Sequence, residues 1–200
     1  MTRMIRLARL VFSRLRRDTR GAAAVEFALI APVLLVMLIG AIDVSRAVAI
    51  NQRVSLVTQM VADLAARETQ LTASDVEAIY DIAELAMAPY STDPLQIAII
   101  PVMSAANDAT RTLVYPSKTN RPTYPAGSEL SACEPYPLTR DFLAANESVI
   151  VVESTYAYQP LWAREVMAAA NWEKKAYAKP RKALCVGFDG PNCQSSCFNS

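Results

Sequence analysis

The run from Gly21 to Ile42, GAAAVEFALIAPVLLVMLIGAI, holds a single ionisable side chain, Glu26. It is long enough to cross a bilayer as one helix, which takes roughly 20 mostly apolar residues. Arg14, Arg16, Arg17 and Arg20 stand before it, and Asp43 and Arg46 just after it. No compact water-soluble domain buries such a segment without a large core around it. A chain of 200 residues has room for one modest domain beside it. The expected organisation is a basic leader (1–21), a long helix (22–69, transmembrane over about 22–44) and an α+β domain (70–200) on the far side.

Charge supports that division. Residues 1–21 carry seven Arg and one Asp, and the remainder carries thirteen basic and eighteen acidic side chains. A basic arm can bind nucleic acid, but this one abuts an apolar helix. The positive-inside rule then holds it in the cytoplasm and sends the domain outward, and no nucleic-acid partner is expected. Whether the arm forms a weak amphipathic helix through Arg3, Arg6, Leu7, Leu10, Val11, Arg14 and Arg17, or is a flexible leader, is open at this level.

The chain has no histidine. That removes Ser-His-Asp and Cys-His catalysis and the commonest metal ligand. There is no Gly-rich phosphate loop, so no cofactor is expected. Cys133, Cys185, Cys193 and Cys197 all follow the apolar run. In an oxidising compartment an even count predicts two disulfides, and the suggested pairing is Cys133 with Cys185 and Cys193 with Cys197. A zinc site fits these spacings less well, because structural sites use closely paired ligands.

A secretory signal peptide has its small-residue cleavage site after the apolar core. Here Gly21 and Ala22 to Ala24 precede the core. Pro32 lies inside it, removing one backbone donor and predicting a bend, and Gly40 adds a small face. Beyond Ile42 the helical period continues: Ala47, Ile50, Val54, Val57, Val61 and Leu64 recur at alternating spacings of three and four. One helix from about Ala22 to Glu68 is expected, roughly 70 Å long at 1.5 Å per residue. Its stripe packs either on its own domain or in part on neighbouring subunits.

A second helix is signalled at LTASDVEAIYDIAELAMAPY, with two competing capping boxes, Ser74/Glu77 and Thr72/Asp75, the latter with Leu71 and Val76 as a staple. Its apolar face is Val76, Ile79, Tyr80, Ala83 and Met87. Asp75, Glu77, Asp81 and Glu84 read as a solvated face rather than a metal site. The period then becomes two. Leu95 to Val102 reads as a strand, Thr110 to Tyr115 as a weaker partner, and Ala105 to Asp108 as the turn between them. Pro116, Pro122, Pro125, Pro135 and Pro137 predict an irregular segment over 116–137. Leu138 to Ala145 suits a short helical turn. ESVIVVESTYAYQPL is the clearest strand. Val149, Val151, Glu153, Thr155 and Ala157 share one face and Ile150, Val152, Ser154, Tyr156 and Tyr158 the other, as in a central strand. Trp172 to Ala178 reads as the last strand.

GAAAVEF at 21–27 resembles the processing region of type IV prepilins: Gly, four residues, then Glu, at the head of an apolar helix behind a basic leader. More closely, RRDTRGAAAVEFALIAPVLLVMLIGAIDVSRA resembles the N-terminal signature of the TadE-like family, minor pilin-like proteins of the Tad (Flp pilus) machinery. The resemblance is strong over 17–50 and looser beyond. It implies an α+β, pilin-like protein of the bacterial inner membrane, single-pass, with its N-terminus cytoplasmic and its domain periplasmic. It also implies cleavage between Gly21 and Ala22 by a prepilin peptidase. Glu26, followed by Phe27 where major pilins have Tyr, would then pair with the Ala22 amine within an assembly. The implied partners are the membrane, the peptidase, and pilins, pseudopilins and the inner-membrane platform of the machinery. Three functional readings follow: a non-enzymatic pseudopilin, an uncleaved membrane-anchored binding or scaffold protein using its Pro/Tyr loop over 115–137, and a tethered hydrolase using a carboxylate pair.

Overall fold

The computed structural model describes residues 21–105, 112–114, 118–119, 133–138, 143–162 and 168–188. The basic leader, the turn beyond Ala105, most of the Pro-rich segment, Cys193 and Cys197 lie outside the described residues. The architecture is α+β: a long N-terminal helix α1 (Ala22–Ala65), a second helix α2 (Ala73–Met87) and an antiparallel sheet. The chain divides into two compact units, Met1–Ser45 and Arg46–Ser200.

In the first unit, α1 is apolar on every side, and no core covers it among the described residues. Val25, Phe27, Leu29, Ile30 and the run Val33 to Leu38 are each more than half exposed. A helix apolar all round belongs in lipid or inside a large protein. It is also long and apolar enough to cross a membrane. The helix continues through Pro32, an interior proline of the kind membrane helices tolerate.

In the second unit the same helix becomes one-sided. Ala47, Ile50, Val54, Val57 and Val61 are buried, and Leu64 packs at the margin of the same cluster. Of the two readings of the stripe, the structure has it facing the chain's own domain. The helix stops at Ala65, three residues before the expected Glu68. The Arg67 and Glu68 amides donate to the Leu64 and Ala65 carbonyls at 3.1 and 3.4 Å, the tighter turn that often satisfies the last helical acceptors.

Helix α2 uses the Thr72/Asp75 box. The Asp75 amide donates to Thr72 Oγ1 at 3.3 Å, and the Thr72 amide donates to Asp75 Oδ2 at 2.9 Å. The choice over Ser74/Glu77 follows from burial. With Thr72 as cap, Leu71 and Val76 occupy the staple positions, and both are buried. With Ser74 as cap those positions fall on Ala73 and Ala78, both exposed. The predicted apolar face, Val76, Ile79, Tyr80, Ala83 and Met87, is the buried one.

Among the described residues five strands form the sheet: β1 (Leu95–Ser104), β2 (Thr112–Val114), β3 (Lys118–Thr119), β4 (Ser148–Tyr158) and β5 (Ala170–Ala178). The order is β2-β1-β4-β5, with β3 also on β1. β1 and β4 pair over nine residues, from Leu95 opposite Tyr156 to Met103 opposite Ser148. Both are central and buried on two sides. Leu95, Ile97 and Ile99 of β1, with Ile150, Val152, Tyr156 and Tyr158 of β4, join α1 and α2 in the main core. Ala98, Ile100, Val102, Val149 and Val151 face the other way, into a smaller cluster closed by Tyr136 and Leu143.

One expectation needs correction. The segment 116–137 is not wholly irregular: Lys118 and Thr119 pair with Ile99 and Ala98, and Leu113 bridges to Pro135. The proline-free stretch between Pro116 and Pro122 keeps its backbone donors. Pro135 needs none, since its neighbour carries the bridge: the Tyr136 amide donates to the Thr112 carbonyl at 3.1 Å. The middle of the short helical turn expected over 138–145, residues 139–142, lies outside the described residues. Leu143 to Glu147 makes a turn with Asn146 at φ 63, a left-handed conformation that Asn tolerates. Ser104 Oγ pins it by donating to the Ala144 carbonyl at 2.6 Å.

Candidate functional site at the head of the helix

Gly21, Ala22, Glu26 and Phe27 fall together at the beginning of α1, which starts at Ala22. All four are exposed. Glu26 lies just past the first turn, which holds no acidic residue. Its relation to Ala22 is i, i+4, the spacing at which side groups on a helix meet. An amine on residue 22 would therefore lie on the same face as the Glu26 carboxylate, one turn away.

Gly21 is not required by its own surroundings. A Cβ built there meets nothing within 4 Å, and the same holds for Gly40.

Two cavities of the second unit bear on the hydrolase reading. A groove of about 710 Å³ beside the outer edge of β5 is lined by Gln59, Asp63, Lys175, Tyr177, Lys179 and Arg181, among others. Its one carboxylate, Asp63, is already bonded to both Arg67 and Arg181. A second cavity of about 420 Å³ holds Glu147 as its one carboxylate. Lys179 Nζ donates to Glu147 at 2.7 Å and the Ala144 amide at 3.0 Å, which together hold this carboxyl below its usual range. Neither cavity offers the carboxylate pair a hydrolase needs. No group of three metal-ligating side chains occurs among the described residues.

The Pro/Tyr loop, offered by the sequence as a docking element, turns one of its tyrosines inward. Tyr136 is buried. Its hydroxyl donates to Glu153 Oε1 at 2.5 Å, and Lys175 Nζ pairs with the same oxygen at 2.5 Å. Lys175 also sits 5.8 Å from the Tyr136 ring centroid. Tyr136 thus fastens the loop to the sheet. Tyr115 and Tyr124 lie outside the described residues.

Neither described cysteine is a free thiol; Cys133 and Cys185 are disulfide-bonded. Cys133 sits exposed in a turn with φ 71, and Cys185 is buried beside Val186. The expected pairing involves Cys193 and Cys197, which lie outside the described residues.

Residues 21–69 match the family described as TadE-like protein. The TadE-like match opens on Gly21 and runs four residues past the end of α1, so it takes in Glu26, the apolar run and the buried stripe but not the sheet. Comparison with curated proteins and with solved structures returns no match. Sequence reasoning reached the head of the helix through the Gly-to-Glu offset. It missed Asp63, which bonds Arg67 four residues on and also Arg181 from beyond β5, the second a pairing no local pattern encodes.

Proposed function

We propose that this chain is a non-enzymatic pseudopilin that takes part in assembling a Tad (Flp-type) pilus. It is anchored in the bacterial inner membrane by the first half of α1, with its leader cytoplasmic and its α+β domain periplasmic. A prepilin peptidase cleaves it between Gly21 and Ala22. The new Ala22 amine then pairs with Glu26, its own or a neighbour's. A lone carboxylate this close to the hydrocarbon is costly unless it is paired, and a cation at i, i+4 supplies the partner. Disulfides from Cys133 and Cys185 hold the irregular parts of the domain.

The observation that carries this reading is the TadE-like match beginning on Gly21, a glycine with open space around it, five positions before the single ionisable residue of an exposed apolar run.

Mass spectrometry of membrane-extracted protein tests it. The expected mature N-terminus is Ala22, and Gly21→Val leaves the full-length chain while the 46–200 unit keeps its melting temperature. An intact leader in cells with an active prepilin peptidase removes the processing step and leaves an uncleaved anchored scaffold.

A further inference from the structure

The sheet ends on β5, which pairs with β4 and has no described strand on its other side. The groove of about 710 Å³ is lined by the stretch from Lys175 to Arg181 and by Gln59, Ala62 and Asp63 of α1. An open sheet edge is a template for pairing with another chain, and lysine is one of the side chains that guards it. β5 and the residue after it carry Lys174, Lys175 and Lys179. Lys175 is held by Glu153 and Lys179 by Glu147. The strand also carries one acid, Glu173, which is exposed and has no ion partner among the described residues.

The charges decide which strand suits this edge. Opposed residues of an antiparallel ladder share a face, so two copies of one strand related by a two-fold axis place one residue opposite itself. Directly opposed side chains stand about 4.5–5.5 Å apart, and like charges there destabilise the pair. An axis at Glu173, Lys174 or Lys175 sets that residue against its own charge. At Tyr177 it sets Lys175 against Lys179. At Ala178 it draws Pro180, which has no amide hydrogen, into the ladder opposite Ala176. At Ala176 no like charges stand opposite. The small Ala176 lies on the axis, Lys175 faces the partner's Tyr177, Lys174 faces the partner's Ala178, and Glu173 faces the partner's Lys179. The Lys179 side chain is 54% exposed and its ammonium has three donors, so it takes a second carboxylate without leaving Glu147. The lysines thus block every register over the groove but one, and that one gives the unpaired Glu173 a partner.

We propose that two copies of this chain pair edge to edge through β5, antiparallel and centred on Ala176, so that their sheets become one. The occupant of the groove is the partner's β5. Pro180 ends the ladder just past Lys179, so the contact spans Glu173 to Lys179. The inference goes beyond the proposed function and depends neither on processing nor on a role in pilus assembly.

The full chain in detergent micelles, treated with a zero-length carbodiimide and digested, tests it. Glu173 and Lys179 of one chain are six residues apart, about 20 Å along an extended strand, so an amide link between their side chains forms only between copies. The expected results are a dimer by light scattering and a Glu173–Lys179 link by mass spectrometry. The internal pair Glu147 and Lys179, 2.7 Å apart, is the control for reactivity. Glu173→Lys changes an exposed side chain with no ion partner of its own. It is expected to keep the melting temperature and to weaken the dimer roughly tenfold, as two attractive pairs become repulsive. Glu77→Lys makes the same change of charge on the exposed side of α2 and is expected to leave the dimer intact. A monomer without the link overturns the proposal and leaves the edge to a strand of another protein. A dimer that lacks the link, or that survives Glu173→Lys, overturns it too, since association through the apolar half of α1 behaves in that way. Equal weakening by Glu77→Lys overturns it by reducing the effect to net charge.

Discussion

The two halves of α1 share a backbone geometry and differ in what surrounds them. From Val25 to Leu38 the large apolar side chains point in every direction and remain exposed. From Ala47 to Val61 they keep to one stripe, and that stripe is closed by the sheet and by α2. The difference lies in periodicity rather than in helix propensity. A helix that meets apolar surroundings on all sides carries no stripe, and one that meets a core on one side must. The place where the pattern changes, between Ile42 and Ala47, is also where the two compact units divide.

The same substitution placed in each half probes this difference most strongly. Val61 is fully buried, so Val61→Asp places an unpaired carboxylate in the core. The cost is about 4 kcal/mol or more, a large part of the roughly 5–15 kcal/mol that holds a domain together. The detergent-solubilised protein should lose its cooperative melt and its protease-resistant domain. Leu35→Asp should leave that melt unchanged. It should weaken insertion by about 3 kcal/mol, read as release into the soluble fraction on alkaline extraction. Equal damage to the domain from both variants breaks the comparison.

A tertiary latch gives the next largest effect. Tyr136→Phe removes a hydrogen bond to the Glu153 carboxylate, which already holds Lys175. Bonds to charged groups contribute about 1.5–3 kcal/mol, so urea unfolding should shift by about 2 kcal/mol. No equivalent latch involves the exposed half of α1 among the described residues. An unchanged urea midpoint would mean that the loop is held by something other than this tyrosine.

Two hydroxyls sharpen the comparison further, because both bond back to the carbonyl four residues earlier. Ser45 Oγ donates to Ala41 at 2.8 Å and is exposed; Thr58 Oγ1 donates to Val54 at 2.7 Å and is buried. Thr58 alone has a tertiary partner, Ser154 Oγ at 2.5 Å. With its own proton committed to Val54, Thr58 accepts from Ser154. Ser154→Ala and Thr58→Val should each cost about 1–2 kcal/mol. The double variant should cost less than their sum, because neither then leaves an orphaned hydroxyl. Ser45→Ala should be silent. Strict additivity at 58 and 154 would show that the pair is not coupled.

The periodic features were legible in the chain. The helix faces of α1 and α2, and the two faces and central place of β4, all follow from spacings of three, four or two. The features set by partners far apart in sequence were not. Asp63 is bonded to Arg181 across the length of the domain, and Glu153 reads as one more polar position on a strand until Tyr136 arrives from the Pro-rich loop. Lys118 and Thr119 give no alternation to detect in two residues, and only β1's free edge makes them a strand. At the candidate site, the Gly21-to-Glu26 offset was visible because it lies within one turn and a half of helix.

The smallest expected effect concerns the choice between the two caps of α2. Thr72 was one of two candidates, and the structure selects it through the burial of Leu71 and Val76. The Thr72 hydroxyl and then its amide hold the Asp75 carboxyl below its usual range. A carboxyl lowered in the folded state contributes stability that is fully present above the unfolded value, near 3.8, and is lost as pH falls through the lower folded value. Thr72→Ala should lower Tm by about 2–4 °C at neutral pH. The gap between variant and parent should narrow once the medium is acid enough to protonate Asp75 in both. Ser74→Ala, at the rejected cap, should leave Tm unchanged. A larger loss from Ser74→Ala than from Thr72→Ala would reverse the assignment. It would also shift the start of α2 by two residues, exposing the Leu71 contact that ties the helix to the stripe of α1.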